Sequence, residues 1–346
     1  MIFPVIDAHQ DIALNILYAT KKDFSRRHTL HEGTPIPGLA AHNNTDLPRL
    51  ISGNVKLVFA TIFSLNHSSI TQLAKNRPEN YNFEKIYGLK SGLPGALEQL
   101  ALYHELFDKH PQIKHITSLS DYRSLKDRQV GLLIHLEGVD FFKSDLGRLD
   151  DFYNLGVRSL ALTWRNQNAF ASGNNALGGL THLGKRLIHA VESKHIIFDL
   201  AHANTVTFWD AMDIINFPVI VSHTLCQAIC QNSRNLDDRQ IKAVAGTGGV
   251  ICLAAIPDYI GGDSIRDYVK HFVHVADLVG VNHVAFGTDF EGLVDPEDRF
   301  IKNFEDVSMF PNVLNQLKKS GFSDTDIAKI SHQNLERIIT QRLSVS

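Results

Sequence analysis

The chain has 346 residues, 34 Lys+Arg against 37 Asp+Glu, and 44% apolar residues. That length suffices for one large core or two ordinary domains, and the near-neutral balance leaves no basic footprint for nucleic acid or an anionic membrane. Its 3 Cys exclude a disulfide framework and a Cys-ligated structural zinc site, so the one unusual number is 18 His, the commonest metal-binding side chain.

The opening residues, Met1-Ile2-Phe3-Pro4-Val5-Ile6-Asp7, read as a strand with no basic-then-apolar leader ahead of it. No run of about 20 apolar residues follows, and the end from Ile338 to Ser346 is too short and polar for a lipid-anchor signal. The expectation is therefore a cytoplasmic protein with no membrane partner. Eight short apolar runs recur: Phe3–Ala8, Lys56–Phe63, Val130–Leu136, Val157–Thr163, His195–Leu200, Pro218–Ser222, Gly249–Ala254 and His283–Gly287. They have the continuous apolar character of parallel strands covered on both faces. Between them, Gly95–His110, Leu180–Ser193, Asn204–Ile215 and Ser264–Leu278 carry apolar residues at helical spacing, with Asn204 and Asp263/Ser264 placed as N-caps.

Strands alternating with helices in this way predict an α/β fold, a closed (β/α)8 TIM barrel forming a single domain over residues 1–346. The weakly periodic stretch at about 18–49, with His28, His31 and His42, is expected to be an excursion over the barrel mouth. No G-x-G-x-x-G follows the first strand, and Gly246-Thr247-Gly248-Gly249 precedes a strand, so it reads as a turn. Cys226, Cys230 and Cys252 lack CxxC spacing and read as free thiols.

Barrel chemistry gathers at the C-terminal strand ends. Those ends carry His9 and Asp11, Glu137, Trp164, His202, His223 and Asp289. His9 and Asp11 are two apart and share a face in extended backbone, and Glu137, His202 and His223 each follow an apolar run. Imidazoles and carboxylates without thiolate suit zinc or a similar first-row ion, and five ligands exceed what one tetrahedral site needs. A carboxylate bridging two metals would use all five.

These residues lie in segments that resemble the membrane dipeptidase (renal dipeptidase) family, zinc peptidases among the amidohydrolase-like metal-dependent barrels. The resemblance rests on Asp7-Ala8-His9-Gln10-Asp11, Leu136-Glu137-Gly138, Leu160-Ala161-Leu162-Thr163-Trp164, Asp199-Leu200-Ala201-His202, Val221-Ser222-His223, Ser233-Arg234-Asn235 and Gly287-Thr288-Asp289-Phe290-Glu291-Gly292. It implies two Zn2+ per chain, one bound by His9 and Asp11, the other by His202 and His223, with Glu137 bridging. It further implies that Arg234 holds the substrate carboxylate through its planar fork, and that Asp289 transfers a proton or meets the substrate amino group. The implied activity is a metallopeptidase hydrolysing small dipeptides, L,L and L,D, by attack of a hydroxide held between the ions. Other divalent metals would fit the same ligands, and relatives often form homodimers.

Two positions depart from the family. Trp164 stands where the mammalian pattern has a histidine near the developing oxyanion, although many bacterial relatives share a Trp followed four residues later by Asn, as Asn168 follows here. Trp164 and Asn168 are then expected to line the substrate, and Trp164, with no acid or base function, keeps open a hydrolase of another amide, lactam or lactone. His135, where the family usually has a small residue, reads either as a hydrogen-bonded core histidine or as support for the metal ligands. A third reading is a non-catalytic barrel serving as a binding protein.

Overall fold

The computed structural model describes residues 3–30, 42–63, 90–292 and 300–344. Its strands are β1 (Val5–Gln10), β2 (Val55–Phe63), β3 (Ile113–His115), β4 (Val130–Glu137), β5 (Val157–Ala161), β6 (Ile197–Asp199), β7 (Ile220–Thr224), β8 (Val250–Leu253) and β9 (Val284–Phe286). Every pairing is parallel, and the order β2-β1-β9-β8-β7-β6-β5-β4 closes through β2–β4 into an eight-stranded (β/α)8 barrel. The eight expected runs supply the eight barrel strands. β3 was not expected; it pairs with the first residues of β4, beside β5 at the barrel foot.

Alternation along each strand separates two apolar layers. Leu57, Phe59, Leu133, Ile197, Ile220, Val250 and Ala285 pack in an inner cluster with Leu335 and Ile338 of the helix Asn334–Leu343. Val58, Ala60, Leu132, Ile134 and Leu136 pack outward against helices, among them Gly92–Lys109 and Ile265–Val279. On β4 this phase puts His135 and Glu137 on the same face as Leu133. The helix starts follow the expected caps: Asn204 Oδ1 accepts from Thr207 N at 2.8 Å, and Ser264 Oγ accepts from Asp267 N at 3.1 Å. Gly246 ends a helix and Gly248 turns at φ +78° into β8, the expected turn. Among the described residues no helix is long and apolar enough to cross a membrane.

Of the stretch expected to be an excursion, residues 31–41, including His31, lie outside the described residues. Its flanks are tied to the strand ends: Lys22 Nζ bonds Glu291 Oε1 at 3.0 Å and Thr45 O at 2.7 Å, and Thr45 Oγ1 donates to Gln10 Oε1 at 3.0 Å.

At Gly287, just past β9, the backbone passes so close to β7 that an added Cβ would stand 1.7 Å from Ser222 O. Only glycine fits unless β7 moves, and β7 carries His223. Gly287→Ala is expected to lower the stability of the fold by about 1–3 kcal/mol, read as a lower urea midpoint at unchanged slope. An unchanged midpoint would contradict this close approach.

Candidate metal centre and active site

The strand ends deliver their polar groups into one buried cluster. From β1, His9 Nε2 lies 3.6 Å from Asp11 Oδ2, although Asp11 has already left extended backbone at φ −89° and ψ 44°. From β4, Glu137 divides its carboxylate. Oε1 is 2.8 Å from His202 Nε2 and 3.4 Å from His223 Nε2, while Oε2 is 3.7 Å from His9 Nε2. Asp289, beyond β9, brings Oδ1 to 3.7 Å from His9 Nε2. His9, Glu137 and His223 form one group whose donor atoms lie within 4.8 Å of one another, and His9, Asp11 and Asp289 form a second.

Hydrogen bonds behind the rings decide which nitrogens face the cluster. Asp199 accepts from Ala201 N at 2.9 Å, from Ser222 N at 2.8 Å and from Ser222 Oγ at 2.5 Å. Having given its only proton to Asp199, Ser222 Oγ accepts from His223 Nδ1 at 2.9 Å. His202 Nδ1 likewise donates to Asn174 Oδ1 at 3.1 Å, since the Asn174 amide nitrogen is turned to Asn175 Oδ1. Both Nε2 atoms therefore present lone pairs, and they face each other at 2.9 Å with Glu137 Oε1 beside them. Three electron pairs directed into one gap need a cation there. His9 Nε2 and Asp11 Oδ1 are also buried without a hydrogen-bond partner. By these observations the donor set fits divalent metal ions.

The electrostatics run the same way. Burial, then the Arg234 charge, pushes His202 down to about 3, and burial followed by His9 holds His223 well below the imidazole range. Neither ring is itself the missing cation. Burial disfavours a charged His9, but Glu137 and Asp11 outweigh it and hold His9 well above the usual range. Burial also opposes the charge on Glu137, yet His9 and the neighbouring imidazoles keep it well below the carboxylate range. Asp289 moves the other way. Burial, against the pull of His9 and with the repulsion of Asp11 and Glu137, raises it to about 7.

Three of the site's residues also carry backbone strain: His202, Asp289 and Glu291 adopt φ of 63°, 63° and 66°, a left-handed region that non-glycine residues rarely occupy. Arg234 is 8% exposed and uses one guanidinium nitrogen on His223 O at 2.9 Å, with no carboxylate at ion-pair distance among the described residues. Trp164 packs edge-on to Phe63, with ring centroids 4.8 Å apart, and lies 6.1 Å from the His202 ring. Asn168 is spent on its loop: Oδ1 accepts from Phe170 N and Ala171 N, and Nδ2 donates to Leu162 O. These bonds brace the loop that follows Trp164. His135 bonds Ser159 Oγ through Nδ1 at 2.9 Å, turns Nε2 to 3.5 Å from Asp199 Oδ2, and meets the His9 ring edge-on.

Known proteins share this architecture. The profile of the membrane dipeptidase family (peptidase family M19) matches residues 2–345. The chain belongs to that family. It is accordingly a hydrolase of the metallo-dipeptidase kind. Among relatives, an uncharacterized dipeptidase of Schizosaccharomyces pombe is 26% identical over 97% of this chain and 80% of its own length. A dipeptidase of Clonostachys rogersoniana is 27% identical over 88% of this chain and 77% of its own. The crystal structure of a metallo peptidase from Rhodobacter sphaeroides, liganded with a phosphinate mimic of the dipeptide L-Ala-D-Ala, superposes with a TM-score of 0.79. It covers 99% of this chain and 100% of its own at 23% identity, and so shares the fold.

Residues to which the sequence assigns no role adjoin the site: Asp7, Asp199, Ser222 and Asn174 behind the strand-end groups, and Arg165 over Trp164. Asp199 had a signal, a carboxylate inside the apolar run His195–Leu200. Asn174 had none, since only folding brings its loop to His202. The relay from Asp199 through Ser222 to His223 makes a prediction. Ser222→Ala is expected to weaken metal binding by about 10–100-fold, measured by competition with a chelator, with the circular dichroism spectrum of the folded protein unchanged. Unchanged metal affinity would remove Ser222 from the relay.

Proposed function

We propose that this protein hydrolyses small dipeptides, with an L- or a D-residue in the second position, at a pair of zinc ions. His9 and Asp11 would hold one ion, His202 and His223 the other, and Glu137 would span both. The observation that carries this reading is the divided Glu137 carboxylate, with Oε1 turned to His202 and His223 and Oε2 to His9. The L-Ala-D-Ala mimic in the Rhodobacter sphaeroides structure supports including D-residues. Divalent ions in such a site supply an activated water and a polarised carbonyl.

The chain's own groups do the rest. Arg234, buried and without a carboxylate partner among the described residues, takes the substrate's terminal carboxylate and fixes the scissile bond over the cluster. Asp289 stands at the edge of the cluster, its Oδ1 3.7 Å from His9 Nε2. Its carboxylate accepts a proton as water adds to the carbonyl and returns it to the departing amine. Trp164 and Phe63 form an apolar wall that keeps bulk water from one side of the reacting carbonyl.

Purified protein is expected to release free amino acids from a panel of L,L and L,D dipeptides. The activity should vanish on dialysis against a chelator and return with zinc. No release from any dipeptide by zinc-loaded protein, with turnover of an ester or a lactam instead, would move the assignment to the other hydrolase reading that Trp164 keeps open.

A further inference from the structure

Beside Arg234 stands a second guanidinium that the dipeptidase reading leaves without a task. Arg165 is half-buried, and its Cζ lies 4.7 Å over the Trp164 ring, on the aromatic wall that reaches to His202. No carboxylate of the described residues lies within ion-pair distance of it, whereas Arg158 and Arg342, also partly or fully buried, are tied down by carbonyl oxygens. The Arg165 charge reaches the interior of the site, because it acts on both His202 and Arg234. Arg234 lies among the acidic groups, feeling Asp289 and Glu137 more than Arg165, so the cation on the Trp164 side is Arg165.

A half-buried guanidinium with no carboxylate beside it among the described residues has lost hydration, a cost that an arriving anion offsets. A dipeptide with a neutral second side chain brings a single carboxylate, which Arg234 already takes. We infer, on the basis of the dipeptidase reading, that Arg165 is a specificity-determining residue that receives the side-chain carboxylate of dipeptides ending in aspartate or glutamate. Stacking on Trp164 holds the guanidinium plane in place, and its free N–H edges can then grip a second carboxylate.

The test compares Ala-Asp and Ala-Glu with their uncharged isosteres Ala-Asn and Ala-Gln, in the wild type, Arg165→Gln and Arg165→Lys. The wild type is expected to favour the acidic member of each pair by about tenfold or more in kcat/KM, mostly through KM, as a charge-assisted contact at a half-buried site provides. The ratio should fall to about one in Arg165→Gln, fall but stay above one in Arg165→Lys, which keeps the charge and loses the stacked fork, and shrink with added salt. Because each comparison is a ratio within one protein, a general loss of activity in a variant does not imitate the effect. A wild-type ratio near one, or a preference that survives Arg165→Gln, would overturn the assignment. The same four dipeptides titrated into Asp289→Asn, followed through the fluorescence of the chain's 2 tryptophans, give the comparison without turnover. Tighter binding of the acidic pair in that variant, with no hydrolysis of any of the four by the wild type, would keep Arg165 and sink the dipeptidase reading. Hydrolysis of all four without preference would do the reverse.

Discussion

Two imidazole nitrogens, His202 Nε2 and His223 Nε2, stand 2.9 Å apart with their lone pairs turned toward each other and toward Glu137 Oε1. Left alone, that contact is repulsive. It persists because each ring is fixed from behind, His223 by Ser222 and Asp199, and His202 by Asn174. Burial adds to the constraint by keeping both rings neutral. The barrel thus spends buried hydrogen bonds to hold acceptors together, an arrangement that becomes favourable once a divalent cation enters.

A second buried polar chain holds the other side of the mouth. Asp7 accepts from Thr288 N at 2.8 Å, Thr288 Oγ1 at 2.6 Å and Gln10 Nε2 at 2.6 Å, joining the end of β1 to the turn that carries Asp289. Gln10 passes the connection to Thr45, and Thr45 and Lys22 pass it to Glu291. The flanks of the excursion are therefore braces for the Asp289 turn. They also account for the left-handed backbone at Asp289 and Glu291, a strain of about 1–3 kcal/mol per residue that persists only where the surroundings over-determine it. Catalytic geometry here is held by residues that never approach the reacting atoms.

The eight barrel strands were legible because parallel strands buried on both faces leave uninterrupted apolar runs, and Ile197–Asp199 or Ile220–Thr224 could hardly be anything else. β3 was not legible: three residues with Lys114 in the middle carry no periodicity, and only the foot of β4 makes them a strand. The residues His9, Asp11, Glu137, His202, His223 and Asp289 could be picked out because polar side chains ending apolar strands need a reason to be there. What sequence could not show was orientation. The spacing of Asn168 from Trp164 gave no sign that its amide ties the loop to Leu162 O, Phe170 N and Ala171 N. Asn174 and Arg165 lie in the same loop, where position relative to the cup is set by tertiary contact and no local pattern announces it. The resemblance supplied roles, and the folded geometry supplied the hydrogen bonds that make those roles physically workable.

The central claim is that Glu137 ties the two halves of the cluster together through its separate oxygens. Metal analysis of the wild type and of Glu137→Gln, after zinc loading and dialysis, tests it most directly. The account predicts about two ions per chain in the wild type and joint loss of both in the variant, with the circular dichroism spectrum unchanged. A variant that keeps one ion tightly while losing the other, or a wild type that holds no more than one, would contradict it.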